Sequence, residues 1–260
     1  MSSVVVERTH SQGRVWSMTI AREDRRNAID RATADELHDA ALAFERDETA
    51  CALVLTGAGG HFCAGADLQA IASGSANRVE IDGPAPEGVT RLRLTKPTIA
   101  AVEGYAVAGG LELALWCDLR VASTTARFGV LCRRFGVPLV DGGTIRLPRL
   151  IGQSRAMDLI LTGRLVDASE AHAMGLANRV VEAGEAFASA LALAQEISAF
   201  PQLCMRNDRA TVFDQWSLSE QDALRLETTR GLETLASGET LAGATAFRDG
   251  AGRHGSKRNP

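Results

Sequence analysis

The 260-residue sequence is first informative for what it lacks. It contains no Gly-Lys-Ser/Thr phosphate loop, no Gly-x-Ser-x-Gly elbow and no His-Glu-x-x-His pair. A P-loop nucleotidase, a serine hydrolase of the elbow type and a zincin therefore lack their defining residues. A dinucleotide fingerprint begins at Gly57 and Gly59 but meets Phe62 where its last glycine belongs. Basic residues are not in excess: 28 Lys and Arg against 32 Asp and Glu give a net charge of -4. That balance argues against a nucleic-acid or anionic-membrane partner, which would want a basic stripe. No apolar run approaches bilayer length. Five cysteines, Cys51, Cys63, Cys117, Cys132 and Cys204, are odd in number and never spaced as a Cys-x-x-Cys pair, so neither a disulfide framework nor a zinc site is expected. The scattered histidines add no metal site. "MSSVVVERTH" is charged too soon for a secretory segment, and a reducing, cytoplasmic location is the expectation.

What is present is an alternation of short apolar runs and helix-prone segments. Val4–Arg8 and Val15–Ala21 read as an N-terminal hairpin. Asp30 or Thr33 can cap a helix to about Arg46, with Leu37, Ala40, Ala41 and Phe44 on one face. "CALVLTG", "TIAAVEG" and "DLRVAS" read as buried parallel strands, and the polar residues 74–88 as a surface loop. This order predicts an α/β core with right-handed crossovers. Beyond Asp141 only "ANRVVE" reads as a strand. Four helical segments follow, and the terminal "RDGAGRHGSKRNP" is expected to fray. The predicted division is a β/α core over 1–195 and a helical region over 196–260.

Two loops stand out, "GAGGHFCAGADL" and the stretch around "AVAGGLELAL". Each follows an apolar strand and precedes a helix, at the sheet edge where α/β proteins bind ligands. Glycine there admits close approach of a ligand and leaves N–H groups free to point at it. Two converging loops can aim two amides at one oxygen, which is an oxyanion hole. With Gly109 as a donor, Glu112 lies about one helical turn on, along the same face. Partly buried, its carboxyl would be raised toward neutrality, as general acid–base work requires. The competing reading is plain packing: a Gly-Gly close approach, and a glutamate paired with an arginine.

"GHFCAGADL", "KPTIAAVEGYAVAGGLELALWCDLRVAS" and "GVPLVDGGTIRLPRLIG", with "EDRRNAID" and "ASEAHAMGLANRVV", resemble the enoyl-CoA hydratase/isomerase family, also called the crotonase superfamily. The resemblance runs over nearly the whole chain. It implies a ββα spiral core and a helical C-terminal region that forms a homotrimer or a dimer of trimers. It implies an acyl-CoA thioester substrate and no cofactor beyond the substrate's own coenzyme A. It assigns the oxyanion donors to the amides of Ala64 and Gly109, with the helix dipole starting at Gly110. It lays Ala66, Asp67 and Leu68 along the coenzyme A channel and brings Arg25 and Arg26 near its phosphates.

The sequence departs from the family at one place. Hydratases of the family carry two glutamates. Glu112 matches the first, and Cys132 stands where the second belongs. Asp141, nine residues on, either replaces that carboxylate or caps the helix after it, and Arg133 and Arg134 are candidate partners for Asp141 or Glu112. The expected activity is hydration of a 2-enoyl-CoA to a 3-hydroxyacyl-CoA. Double-bond isomerisation or other enolate chemistry, and non-catalytic acyl-CoA binding, are the alternatives.

Overall fold

The structure, a computed structural model, describes residues 2–252. The chain divides into two compact units, residues 1–195 and 196–260. The tail from residue 253, part of the segment expected to fray, lies outside the described residues.

The first unit opens with the expected hairpin. β1 (Val4–His10) pairs antiparallel with β2 (Val15–Ile20). Asp30 accepts from the Thr33 amide and so caps α1 (Arg31–Arg46), whose Leu37, Ala41 and Phe44 are buried. The Phe44 ring meets Trp16 of β2 edge-on, with centroids 5.7 Å apart. β3 (Ala52–Gly57), α2 (Leu68–Ala72), β4 (Thr98–Val102), β5 (Tyr105–Val107), α3 (Gly109–Trp116), β6 (Leu119–Ser123) and β7 (Arg127–Gly129) follow. α4 (Gly143–Ile151), α5 (Gln153–Thr162), β8 (Leu165–Asp167), α6 (Ala168–Ala173), β9 (Arg179–Val181) and α7 (Ala186–Ser198) complete the series.

A six-stranded sheet runs β1-β2-β3-β4-β6-β9, parallel from β2 onward. Its central strands β3 and β4 are buried along nearly their whole length, which is why they read as unbroken apolar runs. A second sheet, β5-β7-β8, is made of three-residue strands. β8 departs from the sequence reading, which placed only β9 beyond Asp141. Three residues are too few to show a period, and β8 exists because β7 offers it an antiparallel edge.

Arg120 of β6 is 1% exposed, and the nearby charge of Asp118 is not what chiefly holds it. Its guanidinium instead donates to the carbonyls of Ala114, Cys117, Asp118 and Leu176 and to Asn178 Oδ1. It satisfies the open carbonyls at the end of α3 and thereby anchors the helix that carries Glu112.

The second unit holds α8 (Gln202–Asp214), α9 (Glu220–Ala236) and α10 (Glu239–Arg248). Ser219 caps α9 through the Asp222 amide, and Arg230 ties α9 to α8 by a 2.5 Å ion pair with Asp214. Among the described residues no helix is long and apolar enough to cross a membrane.

Candidate active site

A cavity of about 810 Å³ in the first unit is lined by both loops singled out from the sequence. Ala64, Ala66, Gly109 and Glu112 all border it, together with Glu87, Cys132 and Asp141.

The first loop is fastened from outside. The Asn27 side chain donates to the carbonyls of Ala58 and His61, at 2.8 and 2.7 Å. The Ala64 amide donates to the Arg26 carbonyl at 3.1 Å, so it is occupied and does not serve as the oxyanion donor expected of it. The free amide instead falls two residues on. A parallel bridge joins Ala66 to Ile29. It uses the Gly65 carbonyl and the Asp67 amide, at 2.8 and 2.9 Å. The groups on either side of Ala66 are consumed and its own amide is left without a partner among the described residues.

The amide of Gly109, the other expected donor, has no partner among the described residues. Gly109 opens α3, and its amide is one of the unpaired donors of a helix start. Ala108 before it holds φ +54°, ψ -126°, a conformation an L-residue adopts only under constraint. The bond from its amide to the Gly129 carbonyl, 2.9 Å, fixes that turn. The two loops touch closely. A Cβ on Gly65, whose φ is +88°, would sit 2.7 Å from the Gly109 nitrogen, and one on Gly110 would sit 2.1 Å from the Cys63 carbonyl. Gly110 is thus a packing residue and does not border the cavity.

Glu112 is 2% exposed. Its Oε1 accepts from the amides of Asp141 and Gly143, at 3.0 and 2.7 Å, which leaves Oε2 for a ligand. Gly143 must be glycine for this, since a Cβ there would press on Glu112 at 2.9 Å. Burial pushes the carboxyl up to about 7, and Asp141 adds to the rise, while the two amides and the Arg146 guanidinium oppose it. The competing reading of Glu112 as an arginine's partner is not what the geometry shows: Arg146 donates to the carbonyls of Asp141 and Thr90.

A raised carboxyl has a consequence for stability. Folded Glu112 keeps its proton up to about pH 7, whereas an ordinary glutamate loses it near 4.5. Its contribution is therefore complete below the lower value and is lost as pH rises through the upper one. Glu112→Gln, which keeps the acceptor oxygen, is expected to gain about 2–3 kcal/mol on the wild type between pH 5 and pH 8. Melting curves of both proteins across that window check it, and parallel curves would contradict it.

The remaining expected residues divide. Arg26 borders the cavity, with its guanidinium 5.6 Å from the centre of the Tyr105 ring. Arg25 does not border it and bonds Gln69 instead. Leu68 borders it, but the Asp67 side chain caps α2 through the amides of Gln69 and Ala70 and pairs with Arg22 at 3.1 Å. Cys132 borders the cavity on a short 3-10 turn, and burial, then the proximity of Glu112, raise its thiol, so it is no stand-in for a carboxylate. Arg133 and Arg134 bond the carbonyls of Ile160 and Gly163 rather than either acid.

Asp141 borders the cavity, and it does not cap α4, whose first turn starts from Gly142 without a side-chain cap. Its Oδ1 accepts from the Glu87 amide at 3.0 Å and from the Thr90 hydroxyl. Asp141 thus fastens the turn that carries Glu87, an acid the sequence reading passed over. Glu87 is 1% exposed, and its Oε2 has no hydrogen-bond partner among the described residues. The one hint in the sequence is that Val89, Leu92 and Leu94 begin an apolar recurrence just beyond it.

Two amides without a partner among the described residues border one cavity, with a buried acid one turn along, an arrangement able to polarise a carbonyl and move a proton beside it. The chain belongs to the enoyl-CoA hydratase/isomerase family, whose pattern matches residues 10–251. It is similar to enoyl-CoA hydratase EchA19 of Mycobacterium tuberculosis, 36% identical over 92% of this chain and 91% of the relative. It is 32% identical to a probable mitochondrial enoyl-CoA hydratase of Dictyostelium discoideum over 92% and 86% of the two chains. The crystal structure of an enoyl-CoA hydratase from Mycobacterium tuberculosis H37Rv superposes with a TM-score of 0.89, at 37% identity and 96% coverage of both chains. The crotonase-like α/β fold with a helical C-terminal region follows from these.

Proposed function

We propose that the protein is an enoyl-CoA hydratase, adding water across the double bond of a 2-enoyl-CoA to give a 3-hydroxyacyl-CoA. The observation that carries this is the pair of open amides, Ala66 and Gly109, with Glu112 beside them. A thioester carbonyl seated on those amides draws electrons from the conjugated double bond and leaves the β-carbon open to attack. Glu112, held by two amides through one oxygen, takes a proton from water with the other as the water oxygen bonds the β-carbon. The enolate oxygen that results rests on the two donors and the N-terminus of α3. The reaction balances with water and the thioester alone, so coenzyme A enters only as part of the substrate.

The basic Arg26 at the cavity wall and the apolar Leu68 support a channel for the phosphorylated, partly apolar coenzyme. Leu224, Leu232, Leu235, Leu241 and Phe247 are exposed on the helices of the second unit, which supports self-association as a homotrimer or a dimer of trimers. Analytical ultracentrifugation giving a monomer at micromolar concentration would refute that part. Five unpaired cysteines support a reducing, cytoplasmic setting.

The test is turnover of crotonyl-CoA, followed by loss of the conjugated thioester absorbance and by one solvent oxygen entering the product from labelled water. kcat/KM should rise with pH through about 7, where Glu112 ionises. Isomerisation of a 3-enoyl-CoA without uptake of labelled oxygen would assign the site to the isomerases instead. Tight binding with no turnover of any thioester would make it a binding protein.

A further inference from the structure

Hydration ends with a proton placed on the α-carbon, and Glu112 is the base at the β-carbon. The site needs a second proton carrier, and Cys132, at the position the family resemblance gives to a glutamate, is a buried thiol. Asp141 has one oxygen held by the Glu87 amide and the Thr90 hydroxyl, so its visible task is to fix a turn. Glu87 is the acid on that turn, and it borders the cavity.

Its placement is specific. A Cβ built on Gly109 would lie 2.0 Å from Glu87 Oε1 and 2.6 Å from its Cδ. The carboxyl therefore lies against the very residue whose amide is to hold the thioester oxygen. The α-carbon of a thioester is two bonds from that oxygen, so a carbonyl bonded to the Gly109 amide keeps its α-carbon within about 5 Å of the residue that the Glu87 carboxyl lies against. Glu87 Oε2 is buried with no partner, an arrangement that costs free energy and that a purely structural acid would avoid. Its turn is held on both sides, by Asp141 before α4 and by the Trp116 indole donating to the Leu92 carbonyl at 2.9 Å.

We propose that Glu87 is the second catalytic acid of the site and delivers the proton that the α-carbon receives. The proposal rests on the hydratase reading above. In the step, the enolate re-forms its thioester C=O, its electron pair bonds the α-carbon to the Glu87 proton, and the Glu87 O–H bond breaks. Glu112 meanwhile holds the proton taken from water. Transfer of that proton back to Glu87, directly or through solvent, restores both acids, and the sum is one water added to one double bond.

The titratable groups facing Glu87 are Asp141, Glu112 on α3 and Cys63 on the first loop. With no cation among them, burial first and the two acids second keep the Glu87 proton in place well above the ordinary carboxylate range. Glu112, with one oxygen held by two amides, is raised only to about 7.

The test uses the full chain and two variants, Glu87→Gln, of the same shape, and Glu87→Met, which removes a polar group that lacks a partner. Both should fold and bind butyryl-CoA within about threefold of the wild type. Both should lose about 10²- to 10⁴-fold in kcat for crotonyl-CoA hydration. The fall in kcat/KM on the alkaline side of the wild-type profile should vanish in the variants, and exchange of the butyryl-CoA α-hydrogens into deuterated water should cease. Variants that hydrate at the wild-type rate, or that retain α-exchange and the alkaline limb, would overturn the proposal. Failure of both to fold would assign Glu87 to the scaffold and overturn it equally. A wild type that hydrates no enoyl-CoA would instead overturn the hydratase reading itself.

Discussion

Replacing Glu112 by Gln is expected to lower kcat for enoyl-CoA hydration by about 10³-fold while KM moves less than about threefold. The substitution separates chemistry from scaffold. Oε1 of Glu112 accepts from the amides of Asp141 and Gly143, and the glutamine oxygen can keep both bonds. The turn into α4 and the start of α3 then stay where they are. What is lost is the second oxygen's ability to take a proton from water. Steady-state kinetics with melting curves distinguish the cases. A variant with unchanged kcat removes Glu112 from the chemistry. A variant with lowered kcat and a melting point that collapses at every pH makes its part structural.

The second large effect concerns the donors rather than the acid. Gly65→Ala is expected to reduce kcat/KM by about 10²- to 10³-fold, the usual cost of one oxyanion donor. Gly65 holds φ +88°, and its missing Cβ would stand 2.7 Å from the Gly109 nitrogen. A methyl group there is a wedge between the two amides, and they can no longer meet on one oxygen. The backbone cost is about 1–2 kcal/mol, which a large first unit absorbs without unfolding. Kinetics and a melting curve check it: activity should fall far more than stability. Equal turnover in the variant would show that the Ala66 amide takes no part.

The sequence carried some of this and hid the rest for physical reasons. The central strands and α1 were legible because burial on two faces, or on one stripe, leaves a period in the residues. Gly109 and Glu112 were legible because a strand-to-helix junction and a spacing of three fix their relation locally. The free amide on the first loop was not. Ala64 and Ala66 lie two residues apart in "FCAGADL", and only the carbonyl of Arg26 and the bridge to Ile29 decide which amide is free. Those partners are some forty residues away in the chain.

Asp67 illustrates the same limit. Its neighbours Ala66 and Leu68 face the cavity, while its own side chain turns to Arg22 and the α2 amides. Glu87 was hidden more deeply. It sits at the end of residues 74–88, whose prolines and glycines read as surface. It is buried because Asp141, 54 residues on, bonds its amide. A long-range capping contact of that kind leaves no periodic trace in the sequence.

The proposed chemistry turns on where a thioester oxygen sits, and the direct measurement is a crystal structure of the protein with an unreactive acyl-CoA. The thioester oxygen should lie about 3 Å from the amide nitrogens of Ala66 and Gly109, with the Glu112 carboxyl facing the β-carbon. An oxygen bonded elsewhere, with the Ala64 amide released from Arg26 to receive it or with Glu112 turned from the ligand, would contradict the account.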